Sequence, residues 1–242
     1  MSKPLSKITT SYNGDIIHLG EQSFHREELM NAFGGFLNPG ISHKSQNRIA
    51  NPVPLGLATF SFCVLFISLV NAQVRGVTNV NIVIGASFFF GGVIELIAGV
   101  IALFLENTFA GVVLAGYAGF WLSYAPILTD SFGIRSSYET EEEFNNAMGF
   151  FLTGWMIFSF LLLLCTLKAD WGFFLLFVFI NLFVLMLTIG TFTGNVNVTK
   201  AGGYLGIIAS CIGWYNMYSG IANDQNTYFH FKPIPMPHAP TI

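Results

Sequence analysis

The sequence predicts an all-α integral membrane protein, a bundle of six transmembrane helices. Three observations predict it. Hydrophobic residues make up 53% of the 242-residue chain and charged residues only 10%, where soluble domains carry about 25% charge. Six long runs hold no charged residue: Pro52–Val74, Gly76–Ile94, Asn107–Thr129, Phe144–Leu167, Trp171–Thr199 and Ala201–Asn223. None of these runs alternates in polarity as the strands of a membrane barrel do.

A helix needs about 20 residues to cross the hydrocarbon core, and each run supplies nearly that or more. The second continues past Glu95 to Leu105. The helices are expected near 55–73, 80–104, 109–128, 147–167, 171–192 and 201–221. Residues 1–44 read as a cytosolic N-terminal tail, 45–224 as the membrane domain and 225–242 as a C-terminal tail. No apolar stretch of signal-peptide type opens the chain, so the first helix is expected to direct insertion. Met30–Gly40 reads as a short interfacial segment, and the proline-rich His230–Pro240 as extended chain.

An even number of spans puts both termini on one side. Lys3, Lys7, Arg26, Lys44, Arg48, Lys168 and Lys232 lie on the side of the termini, against Arg75, Arg135 and Lys200 on the other. Seven against three favours cytosolic termini, with Lys44, Arg48 and Lys168 nearest the membrane. The third loop, Tyr138–Phe144, holds Glu139, Glu141, Glu142 and Glu143 and reads as a solvated external loop, or as a weak cation funnel.

Within the helices, small residues mark faces that pack against protein. Gly85, Phe88, Gly92, Glu95 and Gly99 follow one another at steps of three and four, which places them on one stripe of the second helix. Glu95 then points inward. An acidic side chain at the bilayer centre costs about 2.5–3.5 kcal/mol, which leaves two readings: a structural carboxyl bonded to a neighbouring helix, or a pathway carboxyl that exchanges protons. The third helix has Gly111, Ala115 and Gly119 on one face and Tyr117, Trp121 and Tyr124 on another; the fifth has a polar face of Asn181, Thr188 and Asn195, and the sixth Gly202, Gly206, Ser210 and Gly213, and these last two faces suit either tight helix contacts or a polar lumen.

Several function classes fall away. No phosphate-binding loop, dinucleotide fingerprint or HExxH motif is present, and all five histidines lie in the tails. Cys63, Cys165 and Cys211 sit in separate apolar runs and suit packing rather than a disulfide or metal site. The net charge of −3 leaves no nucleic-acid footprint. No metal, cofactor or enzymatic centre is expected. Channel, secondary transporter, receptor and scaffold remain.

The first helix opens on Asn51-Pro52-Val53-Pro54-Leu55-Gly56-Leu57. Asn51 suits an N-cap, and Pro52 and Pro54 suit the first turn, where the N–H groups they lack would be unpaired. This stretch, with Phe60, resembles the signature of the acetate uptake transporter family, which includes fungal ammonia transport outward proteins and bacterial acetate–succinate permeases. Thr59 stands where a smaller residue is usual. Tyr117–Ala125 is similar to the family's aromatic third-helix motif, and Ser131–Ile134, Thr166–Ala169, Ile189–Asn195 and Lys200–Gly206 look like the fungal branch.

The resemblance implies a pathway within each protomer, a hexamer in the fungal plasma membrane, and movement of acetate, related small monocarboxylates and sometimes succinate with protons. It implies a central constriction of Phe60, Tyr117 and Ile180, the last in place of the usual leucine. It makes the helix mouth, Asn51, Pro52, Val53, Pro54, Leu55 and Gly56, the substrate-binding segment, where a helix N-terminus favours an anion. Family members often carry an amide where this chain has Glu95, a departure that bears on proton dependence and substrate range; the inward-pointing Glu95 is the candidate proton relay. An ammonium or ammonia exporter, and a non-transporting membrane sensor or scaffold, are the alternatives.

Overall fold

The computed structural model describes residues 8–11, 15–26, 28, 49–231 and 233–237. Met30–Gly40, expected as an interfacial segment, lies outside the described residues. Among those described, six long helices dominate. They are α1 (Val53–Asn71), α2 (Ile82–Phe104), α3 (Thr108–Leu128), α4 (Glu141–Cys165), α5 (Trp171–Thr193) and α6 (Val196–Ile221). The first five are long and apolar enough to cross a membrane. At 26 residues α6 is about 39 Å long, but its glycines, asparagines and Lys200 make it more polar.

Helix α1 packs along α6, α6 along α5, α2 along α3, and α4 along α5. The tightest approaches use small residues. A side chain at Gly206 would collide with Ser68 Oγ, one at Gly213 with Ser61 Oγ, and one at Gly203 with the α1 backbone at Ser68 and Ala72. The Ser210 hydroxyl donates to the Ser61 carbonyl at 2.7 Å across the same seam. Gly99 lies against the backbone of Ala115 and joins α2 to α3 in the same way. Outward-facing Ile82, Phe89, Phe104, Phe150 and Phe160 are exposed, as lipid-facing side chains are in a helical membrane protein.

Helix boundaries differ from expectation at four ends, one of them the start of α6, which lies at Val196 rather than near 201 and takes Lys200 into the helix. Helix α1 starts at Val53, with Pro52 rather than Asn51 in the capping position. Asn51 still contributes, because its Oδ1 accepts from the Val53 N–H at 3.1 Å. Helix α4 starts at Glu141, so Glu141, Glu142 and Glu143 form its first turn rather than loop, where negative charge offsets the helix dipole. Thr140 caps that turn by accepting from Glu143 N–H at 3.1 Å. Helix α5 ends at Thr193, where Gly194 turns the chain with φ +63°. Asn195 therefore leaves the α5 face and caps α6, accepting from Asn197 N–H at 3.0 Å.

Helix α2 holds the largest departure. Ala86–Ile94 is a π-helical stretch between α-helical ends. The i→i+5 bonding of a π segment shifts the register upstream of Glu95. Gly85 is exposed and Phe88 only half-buried, whereas Ser87 and Gly91 are buried with Gly92, Glu95 and Gly99. The expected stripe therefore holds from Gly92 onward and fails before it.

Both termini carry structure. The N-terminal segment contains an antiparallel sheet of β1 (Ile8–Thr10), β2 (Ile16–Leu19) and β3 (Gln22–His25), in that order. Its isoleucines and threonines favour strand, and Gly20, with φ +67°, makes the β2–β3 turn. The C-terminal segment runs back across the α4–α5 connection. Trp171 N–H donates to Ile234 O at 2.9 Å, and Met236 N–H to Ala169 O at 3.1 Å. Ser219 Oγ donates to Phe231 O at 2.9 Å. The expected extended chain is thus bound to the end of the bundle.

Candidate functional site: two cavities and the wall between them

Helices α1, α3 and α5 run in the same direction through the bundle, and cavities open between them. Near their C-terminal ends lies a polar vestibule of about 540 Å³, lined by Asn71, Gln73, Asn81, Arg135 and Thr199 among others. Asn71, Tyr124, Met148, Thr191 and Thr199 also line a cavity of about 110 Å³ deeper in the bundle. Towards the N-terminal ends lies a cavity of about 10 Å³, bounded by Leu57, Val113, Leu114, Phe173, Leu176 and Phe177. That narrow cavity is about one water molecule in size.

Phe60, Tyr117 and Ile180 line both the wide cavity and the narrow one. They come from α1, α3 and α5 and are 5%, 5% and 2% exposed. The rings of Phe60 and Tyr117 have centroids 4.9 Å apart. Phe158 and Phe177 stand 5.7 and 6.4 Å from the Tyr117 ring. The three side chains named from sequence therefore meet in one apolar wall. A charge moved into so apolar a medium loses its hydration, at an idealised Born cost of order 20 kcal/mol and an effective cost of several kcal/mol.

Glu95 lines the narrow cavity from α2 and is fully buried. Neither of its carboxyl oxygens has a hydrogen-bond partner among the described residues. The structural reading, a carboxyl bonded to a neighbouring helix, is thus without its bond. No group of three or more histidine, cysteine or acidic residues able to hold a metal ion occurs among the described residues.

The helix mouth is less simply disposed. Asn51 and Leu55 are exposed, while Pro52, Val53, Pro54 and Gly56 are buried. None of these six lines the three cavities above; Leu57 is the first α1 residue to do so. Pro52 and Pro54 have no N–H, and those of Val53 and Gly56 are bonded to Asn51 Oδ1 and Pro52 O. The Leu55 N–H has no hydrogen bond to the described residues that precede the helix.

One residue at the wall was not singled out in the sequence. Ser159 of α4 is fully buried, lines the wide cavity, and its Oγ lies 2.9 Å from Tyr117 Oη. In an apolar run a serine reads as helix packing, and only the fold brings it to Tyr117. Asn181, noted for its polar face, donates from Nδ2 to Ser159 O at 3.0 Å and to Phe177 O at 2.8 Å.

Apolar helices with cavities stacked inside a single chain define a multi-pass membrane protein. The model of the GPR1/FUN34/yaaH family matches residues 33–238, and the chain belongs to that family. Ammonia transport outward protein 2 of Saccharomyces cerevisiae is 44% identical over 230 residues, 95% of this chain and 82% of that protein. Acetate permease A of Emericella nidulans is 38% identical over 228 residues, 89% of this chain and 76% of that protein. The solved structure of the bacterial acetate channel SatP matches with a TM-score of 0.66 at 25% identity, covering 74% of this chain and 96% of that one.

Proposed function

We propose that the protein moves acetate, related small monocarboxylates and succinate across the plasma membrane with protons. The observation that carries this reading is the wall: Phe60, Tyr117 and Ile180 each face a cavity on both sides. A dry apolar wall resists the carboxylate ion and admits the neutral acid at far lower cost. With a pKa near that of a glutamate side chain, about 4.3, roughly 2% of acetate is neutral at pH 6. Uptake then rises as the external pH falls. The protein has no enzymatic role in this reading.

The remaining parts follow from the same scheme. Six spans with both termini in the cytosol set the vestibule of Arg135 and Asn71 on the outside. Asn51–Gly56 holds the carboxylate near the opposite mouth through the helix dipole and the Leu55 N–H. Glu95 relays protons, supported by its place in the narrow cavity and its unbonded oxygens. The functional assembly is a hexamer, each protomer with its own pathway. Opening requires the wall and the narrow cavity to widen, because a cavity of about 10 Å³ is too small for acetate.

The name of the 44% identical relative favours a second reading, export of ammonia, and neutral ammonia also suits an apolar wall. Flux into liposomes holding the purified protein separates the two, with acetate, lactate, succinate and ammonium supplied singly and in competition. Acetate flux that ammonium does not inhibit supports the first reading. Ammonium flux without acetate flux replaces it, and no flux of any solute from an assembled oligomer defeats both.

A further inference from the structure

We propose that Ser159 is a positioning residue that sets size selectivity by holding the Tyr117 hydroxyl in the wall. The inference rests on the carboxylic-acid transport reading. Ser159 is the point where three helices are tied together. Its Oγ meets Tyr117 Oη of α3 at 2.9 Å. Its carbonyl accepts from Asn181 Nδ2 of α5 at 3.0 Å, and Asn181 is the chain neighbour of Ile180. One residue of α4 thus holds the polar end of one wall residue and the backbone register beside another.

The other contacts of the Tyr117 ring do not fix its outer end. Phe60, Phe158 and Phe177 surround it with tilted or edge-on rings, and these contacts hold the ring and not its hydroxyl. The hydroxyl is held by its bond to Ser159, and a buried hydroxyl that loses its partner must find another. Tyr117 lines the wide cavity, which also exposes Asn71, Thr191 and Thr199. Without Ser159 Oγ, the tyrosine hydroxyl turns towards that polar space and the ring leaves the wall, which widens the aperture on the α4 side.

The test is the initial rate of labelled acetate, propionate and lactate entry into liposomes. It compares the wild type with Ser159→Ala, Ser159→Thr, Tyr117→Phe and the Ser159→Ala/Tyr117→Phe double variant. Discrimination against one methylene is worth about tenfold or more in a fitted site. Ser159→Ala should therefore raise the propionate-to-acetate and lactate-to-acetate ratios by about tenfold. Ser159→Thr keeps the hydroxyl and should keep the wild-type ratios. Tyr117→Phe removes the hydroxyl that is drawn towards the polar space, so Ser159→Ala should change the ratios far less in the Tyr117→Phe background than in the wild type. Wild-type ratios in Ser159→Ala, alanine-like ratios in Ser159→Thr, or additive effects in the double variant would overturn the proposal. A wild type that carries none of the acids defeats the transport reading itself, and is told apart because no ratio is then measurable in any protein.

Discussion

Phe60 of α1 and Tyr117 of α3 pack with ring centroids 4.9 Å apart, and the same pair faces a cavity of about 110 Å³ on one side and one of about 10 Å³ on the other. Shortening either ring should let larger acids through. Phe→Ala in a core costs about 3–5 kcal/mol of stability, so Phe60→Leu is the better probe. Lactate uptake relative to acetate should rise about tenfold in a transport-null cell expressing Phe60→Leu. Unchanged selectivity, with the variant present in the membrane at wild-type level, would remove Phe60 from the selective wall.

Glu95 tests proton handling. It is fully buried in the narrow cavity with neither oxygen bonded. Gln is close in size and cannot carry a proton on and off. Acetate uptake by Glu95→Gln should fall at least about tenfold at each pH, and what remains should track only the neutral fraction of the acid. Labelled-acetate uptake between pH 5 and 7 reads both quantities. A variant with the wild-type rate and profile shows that Glu95 moves no proton.

The parts of the fold that follow from composition and glycine spacing were legible in the sequence. Uncharged runs gave the helices, and Gly202, Gly206, Ser210 and Gly213 gave the buried face of α6. Periodicity fails where the backbone departs from the α-helix. The π stretch Ala86–Ile94 turns Gly85 outward and Ser87 inward, and no residue type announces that change. Of the wall, Phe60, Tyr117 and Ile180 were named through family motifs; apolar residues in apolar helices carry no local signal of a pathway. Ser159 was invisible because its role depends on a partner 42 residues away.

The α1–α6 seam makes a prediction about stability. A methyl group at Gly206 would collide with Ser68 Oγ and the Phe183 ring. Overpacking of this kind costs about 1–3 kcal/mol. Gly206→Ala should lower the unfolding temperature in detergent, and adding Ser68→Gly, which clears the hydroxyl, should restore part of the loss. Equal loss in the single and double variants would show that Phe183, not Ser68, sets the limit.

Asp170 tests how the end of α5 is held. Its Oδ1 accepts from Phe173 N–H at 3.0 Å, and the C-terminal segment bridges to it at Pro235. Burial raises its carboxyl above the usual range, against the opposing pull of the Phe173 and Gly172 N–H groups. A carboxyl raised in the folded state contributes stability that is full below its unfolded value and is lost as pH rises through the folded one. Asp170→Asn keeps the capping oxygen and does not titrate. Its stability relative to wild type should therefore improve as pH rises above about 4, whereas Asp170→Ala should lose about 1 kcal/mol of capping. Unfolding temperatures of the three proteins across that range decide the point. An Asn variant that loses as much as Ala at every pH would mean that the charge, not the acceptor oxygen, holds the helix end.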